Sequence, residues 1–468
     1  MPVPKRNCLF LLIIISGTFQ TKLLAQQPLT LKAAIDSAMQ NYGSIRAKDA
    51  YAKAANEGVT QAKREYLPNL NLSAQQDYGT VNGQNGPIYG FGGLGVGSSG
   101  PSLPEQNWNA AFGALYLTNL NWEFFAFGKY ENRVKSAKAA AIRDQDDLEQ
   151  ERFKQRVKVS AAYLNLLAAQ RLTLSYQKNF DRANTLRKVV VTRAINGLIA
   201  GVDSSQANAE VSSARTAWIK AKDTEQEQAN RLAILMGVNS SDFVLDSMFI
   251  SRVPAALTSP QAPINLDLHP ELQWYKSRIA VSEQQTHYLS SLKYPAFSLV
   301  GVFQTRGSGF DSGYTMDQQA FTHSYTDGVK PTRSNYLFGI GLTWNITQAL
   351  RISPQVRQQR FISTGLQAEY EQANQELSAQ LQLADQKIRN ALDNYNEVPI
   401  QVKAASDAYL QKSVLYKNGL TNLVDVTQTL YALIRAETDR DIAYNNVWQA
   451  LLLKAAASGD FGLFINEL

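Results

Sequence analysis

The sequence predicts an α+β membrane protein: a trimeric twelve-stranded β-barrel, four strands from each chain, continued by a long α-helical coiled-coil barrel and built from two internal repeats. Three observations point there. The chain repeats itself in register over most of its length. Four stretches of about ten residues alternate apolar with polar, aromatic toward their ends, as membrane-barrel strands do. Two helical stretches, the first of them uninterrupted, are far longer than any globular core requires.

The repeat sets the organisation. Trp122 aligns with Trp344, Gly197-Leu198 with Gly419-Leu420, Val202-Asp203 with Val424-Asp425, Gln206 with Gln428 and Gly237 with Gly459, all at an offset of 222. Earlier positions match at 227, Gly43 with Pro270 and Pro68 with Pro295, so the five-residue difference falls between Pro68 and Trp122. Length variation confined to one segment marks an exposed loop. The expected division is a signal peptide at 1–25, a first repeat at 26–237, a linker at 238–262 and a second repeat at 263–468.

The N-terminus carries Lys5 and Arg6, an apolar run from Leu9 to Ile15 and a small-residue exit, the pattern of a secretory signal. Cys8, the one cysteine, precedes that run, so cleavage would leave neither disulfide nor thiolate metal site. Loss of Lys5, Arg6 and Lys22 lowers the formal charge from +6 to +3. With no basic block of five residues, nothing supports nucleic-acid binding. No later apolar stretch reaches spanning length, so a membrane would be entered as strands.

Residues 31–66 are rich in Ala, Lys, Gln and Glu and read as helix, with Gly43 a weak spot before Pro68 ends it. The first hairpin, about 69–124, sets Leu70, Leu72, Ala74, Tyr78, Tyr116, Leu120, Trp122 and Phe124 on one face and Asn71, Ser73, Asn119, Asn121 and Glu123 on the other. The helical pattern from Gly128 to Asn196 has a length on the order of 100 Å at 1.5 Å per residue. Gly197 turns it into a second helix starting at Asp203. The second hairpin, about 296–346, opposes Phe297, Leu299, Phe303, Tyr336, Phe338, Ile340, Leu342 and Trp344 to Ser298, Gln304, Gly339, Gly341 and Thr343. Its helix runs from about Pro354 toward Asn418, where Pro399 is expected to kink or break it. Four strands cannot close a barrel and lipid tolerates no open edge, so other copies of the chain must complete it, and three copies would give twelve strands with room for a lumen. The lipid-facing belt then comprises Tyr116, Trp122, Phe124, Phe297, Phe303, Tyr336, Phe338 and Trp344. The hairpin loops at 79–107 and 306–333 are rich in Gly, Ser, Asn and Asp, as external barrel loops are.

No residue set suggests catalysis, a cofactor or a metal. Gly95-Val-Gly97-Ser-Ser-Gly100 satisfies the dinucleotide fingerprint, but Pro101 and Pro104 follow where a helix must. His269, His287 and His323 show no metal-ligand spacing, and no hydrolase signature occurs. Asp203-Ser-Ser-Gln206 and Asp425-Val-Thr-Gln428 read as capping boxes that open the second helix of each hairpin. In a trimer such acids would ring the narrow end of a tube and attract cations.

The ordered set Leu67-Pro-Asn-Leu70, Trp122-Glu-Phe-Phe-Ala-Phe-Gly128, Asp203-Ser-Ser-Gln-Ala, His269-Pro-Glu-Leu and Tyr416-Lys-Asn-Gly-Leu-Thr-Asn-Leu-Val-Asp-Val resembles the TolC-like outer membrane efflux proteins over nearly the whole chain. The resemblance implies a homotrimer in outer-membrane lipid that reaches across the periplasm. Its partners would be a periplasmic adaptor and an inner-membrane pump of RND or ABC type. It implies a passive exit duct for efflux or type I secretion, gated at a periplasmic tip formed here by Gly197, Leu198, Asp203, Tyr416, Gly419, Thr421, Asp425 and Gln428. Family members can carry a basic residue at the place of Thr421 and a second acid at that of Gln428; this chain has neither. The rival expectation is a non-conducting periplasmic coiled-coil protein, structural or adaptor-like, with its strands in a soluble sandwich.

Overall fold

The computed structural model describes residues 28–83, 102–239, 242–246, 249, 253–254 and 264–467. The expected signal segment, the glycine fingerprint and most of the linker lie outside the described residues.

The four strands form one antiparallel sheet in sequence order: β1 (Asn69–Thr80), β2 (Ala110–Phe125), β3 (Ala296–Ser308) and β4 (Arg333–Thr343). Register carries the alternation across all four. Leu72 stands opposite Thr118, Thr118 opposite Phe303, and Phe303 opposite Tyr336; on the other face Asn71, Asn119, Val302 and Leu337 make one row. A bulge between Glu123 and Phe125 sets Phe125 opposite Phe297 and leaves Phe124 out of the ladder. One face is therefore apolar and exposed, and β1 and β4 each offer an unpaired edge. Among the described residues no helix is long and apolar enough to cross a membrane.

Two very long helices organise the rest. These are α3 (Lys129–Ile195, 67 residues) and α7 (Gln348–Lys417, 70 residues), each about 100 Å long. Shorter helices flank them: α1 (Leu31–Asn41), α2 (Gly43–Arg64), α4 (Gly201–Met236), α5 (Pro270–Ser291), α8 (Leu423–Ser458) and the final turn α9 (Gly462–Ile465). A five-residue helix, α6 (Tyr325–Val329), lies in the β3–β4 loop. Near the sheet the wall runs α2, α3, α5, α7; beyond mid-height it runs α4, α3, α8, α7.

Mid-height holds the principal core. Trp448, Tyr163, Leu164, Leu166, Leu232, Leu451 and Phe464 are fully buried there with the apolar face of α1. Tyr163 donates its hydroxyl proton to the Leu29 carbonyl (2.7 Å) and accepts from the Asp246 amide (3.1 Å); burial pushes its pKa up to about 12. Here each lower helix ends against the start of an upper one. Gly237, at φ +69°, abuts the Asn41 backbone, and Gly459, at φ +75°, abuts His269. A side chain at Gly459 would put Cβ 2.7 Å from the imidazole. His269 is buried and caps α5: Nδ1 accepts from the Glu271 amide and Nε2 lies 3.1 Å from the Ala456 carbonyl oxygen.

Two expectations need correction. The helix read across 31–66 is two helices, because Tyr42 is extended (φ −67°, ψ 122°) and redirects the chain from the core onto α3. Pro399 does not break α7, which runs unbroken through both Pro354 and Pro399. Pro399 is exposed. The bond it removes therefore lies toward the surface, and the flanking turns propagate the helix.

Candidate functional site

At the far end from the sheet, two turns with the same geometry lie side by side. Gly197 (φ +70°) and Gly419 (φ +75°) supply the left-handed residue that closes α3 and α7. In the first, Leu198 N–H donates to Arg193 O (2.9 Å) and Gly197 N–H to Ala194 O (3.0 Å); in the second, Leu420 donates to Leu415 and Gly419 to Tyr416 at 2.9 and 3.0 Å. This satisfies the orphan carbonyls of a helix end with a conformation glycine adopts freely. Leu198 and Leu420 project into solvent, 67% and 72% exposed.

The capping boxes are corrected by the structure. The N-caps are Ala200 and Asn422, so Asp203 and Asp425 sit at the third helical residue instead. Asn422 Oδ1 accepts the Asp425 amide (2.9 Å), whereas Ala200 has no side chain to do so. Placed in the first turn, both carboxylates still face the positive end of the helix. The carboxylate of Asp425 is left for other partners: its Oδ2 accepts from Lys412 Nζ (2.8 Å) and Thr421 Oγ1 (2.7 Å). These two hydrogen bonds, Lys412 first, hold the Asp425 pKa below the ordinary carboxylate value.

Tyr416 is buried against Val190, Ala207, Leu423 and Val426, which raises its hydroxyl pKa. Arg193 joins the turns. Its Nη1 donates to the Tyr416 carbonyl at 2.6 Å, and its guanidinium lies 5.3 Å from the centre of the Tyr416 ring. Higher up, Arg182 grips Glu437 with both terminal nitrogens (3.1 and 2.6 Å) and Ser175 donates to Asp441 (2.8 Å), tying α3 to α8. Tyr431 of α8 donates to Glu210 of α4; that bond raises the tyrosine pKa to about 12.

The structure thus brings Tyr416, Thr421 and Asp425 together, with Gly419 and Gly197 framing them. Asp203 contributes electrostatically to Tyr416. Gln428 belongs to the first turns of α8. Sequence reasoning missed Arg193, Lys412 and Asn422. A signal was present: at the 222 offset these positions correspond to Leu415, Val190 and Ala200, and Thr421 to Ile199, so the polar contacts sit where the halves differ.

At the sheet, the belt residues occupy the apolar face. Trp344 lies just past β4, and Tyr336 and Phe338 are 76% and 68% exposed. Trp122 Nε1 donates to the Tyr66 carbonyl (2.8 Å) and Trp344 Nε1 to that of Lys293 (3.1 Å), positions equivalent in the repeat. Each tryptophan so fixes the exit of a helix into its strand, its ring in the apolar row and its N–H on a backbone oxygen. Phe124, in the bulge, has its ring centre 6.2 Å from that of Trp122.

Comparison with known proteins agrees with this geometry. Residues 34–238 match the family model of the outer membrane efflux protein. No curated protein matches. Among solved structures, the outer membrane protein VceC from Vibrio cholerae is 16% identical with a TM-score of 0.71, covering 92% of this chain and 96% of its own. The CmeC outer membrane channel of Campylobacter jejuni is 15% identical with a TM-score of 0.73, covering 92% and 85%. The MtrE outer membrane channel of Neisseria gonorrhoeae, solved in its open state, is 15% identical with a TM-score of 0.70, covering 92% and 89%. The family read from residues is met again in the first repeat, and the fold of both repeats is that of these chains.

Proposed function

We propose that this chain, which matches the outer membrane efflux protein family over 34–238 and shares its fold with outer-membrane channels, is the exit duct of a tripartite efflux or type I secretion assembly. The observation that carries this reading is an open four-stranded sheet, apolar and exposed on one face, set on helices about 100 Å long. The β1 and β4 edges leave about half of their backbone groups without a partner, and in hydrocarbon each would cost several kcal/mol. Three chains paired edge to edge satisfy them. The resulting twelve-stranded barrel has its aromatic face in lipid and Asn71, Asn119, Ser73 and Gln304 toward a water-filled lumen.

The duct is passive in this reading: a wide water-filled bore selects little, so the inner-membrane RND or ABC pump chooses the cargo. The paired turns with exposed Leu198 and Leu420 are the docking points for a periplasmic adaptor. The contacts of Arg193 and of Lys412 with Thr421 and Asp425 hold the tip in one of two arrangements, and partner binding favours the other.

The test is fractionation followed by planar-bilayer recording. An outer-membrane, heat-modifiable trimer with stepwise conductance is expected. A soluble monomer would defeat the duct and favour the periplasmic coiled-coil alternative. Cross-linking through Gly197→Cys and Gly419→Cys in cells identifies the adaptor.

A further inference from the structure

The last residue pair of the β3–β4 ladder is Arg306 opposite Arg333, two like charges side by side in one sheet. Opposed like charges roughly 5 Å apart repel each other across a sheet. Register fixes the face they share. Arg306 also stands opposite Leu115, which stands opposite Gln75, and this row lies on the side away from Phe303 and Tyr336. Both arginines are exposed.

The loop that joins these strands carries its helix away from that face. Its helix α6 packs on the apolar face instead: the Tyr325 ring centre is 5.2 Å from that of Phe112, Tyr325 donates to Gln76 Oε1 (2.7 Å), and Tyr116 donates to the Val329 carbonyl (3.2 Å). Gly328 is the residue at the contact, where a Cβ would fall 2.5 Å from Phe112 Cβ. Gln76, Phe112 and Tyr116 all belong to the face that carries Leu70, Leu72 and Phe338. The loop therefore folds outward over the rim of the sheet. By register Asp77 lies on the same face at the same end of the sheet, and its oxygens accept from Gln75 Nε2 at 3.2 and 3.0 Å.

We propose that Arg306 and Arg333, repeated by three chains, form a cationic ring at the external mouth that concentrates small anions there and gives this end of the duct a preference for anionic solutes. The proposal rests on the duct reading. Rings of Arg and Lys select anions because the low-dielectric wall focuses their field on the water inside. The polar row beneath, Gln304 opposite Asn335, keeps that field in a hydrated bore. The recognised chemistry is negative charge, carboxylate, phosphate or sulfonate alike.

The experiment uses the full-length trimer in planar bilayers under a KCl gradient, with binding of the trisulfonated dye pyranine followed by anisotropy. Arg306→Gln with Arg333→Gln is expected to lower the chloride-to-potassium permeability ratio about threefold at low salt. The difference should vanish near 1 M, where the screening length is about 3 Å. Dye binding should fall in parallel, and Arg306→Lys with Arg333→Lys should retain both properties. A conducting glutamine variant with an unchanged ratio and unchanged dye binding overturns the ring and leaves the duct intact. If the unaltered protein forms no conducting trimer, the duct falls and the ring with it.

Discussion

Replacing Arg193 tests whether the paired turns are a latch. Its guanidinium makes one short hydrogen bond to the Tyr416 carbonyl and lies over the ring of the same residue, and it is half-buried. A hydrogen bond with a charged partner contributes about 1.5–3 kcal/mol, and partial exposure argues for the low end. A cation over a ring adds about 0.5 kcal/mol where the cation stays partly exposed. Arg193→Met keeps much of the stem and removes both, so the closed arrangement should lose about 2 kcal/mol, roughly a thirtyfold shift toward the open one. The Tyr416 carbonyl is not orphaned, because the Gly419 amide also donates to it (3.0 Å), so the fold should survive. Single-channel recording reads the shift as longer or larger open events. An open probability unchanged within threefold would refute the latch, since nothing else near Arg193 compensates a loss of that size.

Four further outcomes follow from the structure. Asp425→Ala should weaken block by divalent cations if its carboxylate lines the bore; unchanged block removes it from the pore. The Asp425 pKa is lowered in the fold, so its pairing with Lys412 is present above the ordinary carboxylate value of 3.8 and is lost as pH falls through the lowered one; channel opening should therefore rise only in strong acid, and Asp425→Asn should abolish that response. The His269 pKa is lowered too, by burial, so as pH falls below its ordinary 6.5 the unfolded chain binds more protons than the folded one and stability is lost. Thermal denaturation should show a slope there that His269→Asn, which retains a capping oxygen, removes. Gly459→Ala meets His269 at 2.7 Å as well as a positive φ, whereas Gly197→Ala meets nothing within 4 Å. The first should cost about 3 kcal/mol and the second about 1 kcal/mol, so equal midpoints in denaturation would contradict the mid-height junction.

What the sequence disclosed depended on how each feature is encoded. The sheet was legible because period-two alternation survives translation into register: Leu72, Phe303 and Tyr336 share a face as their spacing requires. The long helices were legible because nothing interrupts residues 129–195. Pro399 misled because a proline's cost depends on what surrounds the freed carbonyl, and that is a tertiary fact. Tyr42 misled for the opposite reason. No residue there demands a break; the core claims α1, the wall claims α2, and one extended residue reconciles them. The caps were displaced by three positions because a helix starts where the preceding turn delivers the chain, at Asn422 in one half and at Ala200, which has no capping side chain, in the other. Arg193 and Lys412 escaped because long cations on helices are ordinary surface residues until a partner from another segment is placed beside them.

The order of elements binds the sheet and the helical wall into one interface. β1 follows α2, α3 follows β2, β3 follows α5 and α7 follows β4, and the upper wall runs α2, α3, α5, α7 as the sheet runs β1, β2, β3, β4. Each strand therefore stands on its own helix, and the tryptophan bonds at Tyr66 and Lys293 fix two of these joints. The free edges coincide: β1 lies above α2, and β4 above α7. On α7, Leu350 and Phe361 remain 76% and 77% exposed, apolar groups that solvent alone would not favour. A neighbouring chain that pairs its β1 with this β4 must bring its α2 against this α7, so one contact satisfies the backbone in lipid and covers apolar side chains in water. Because both demands fall on the same pair of edges, closing the barrel and closing the tube would be a single event in the proposed trimer. The paired turns at the far end are then free to change arrangement without opening the wall above them.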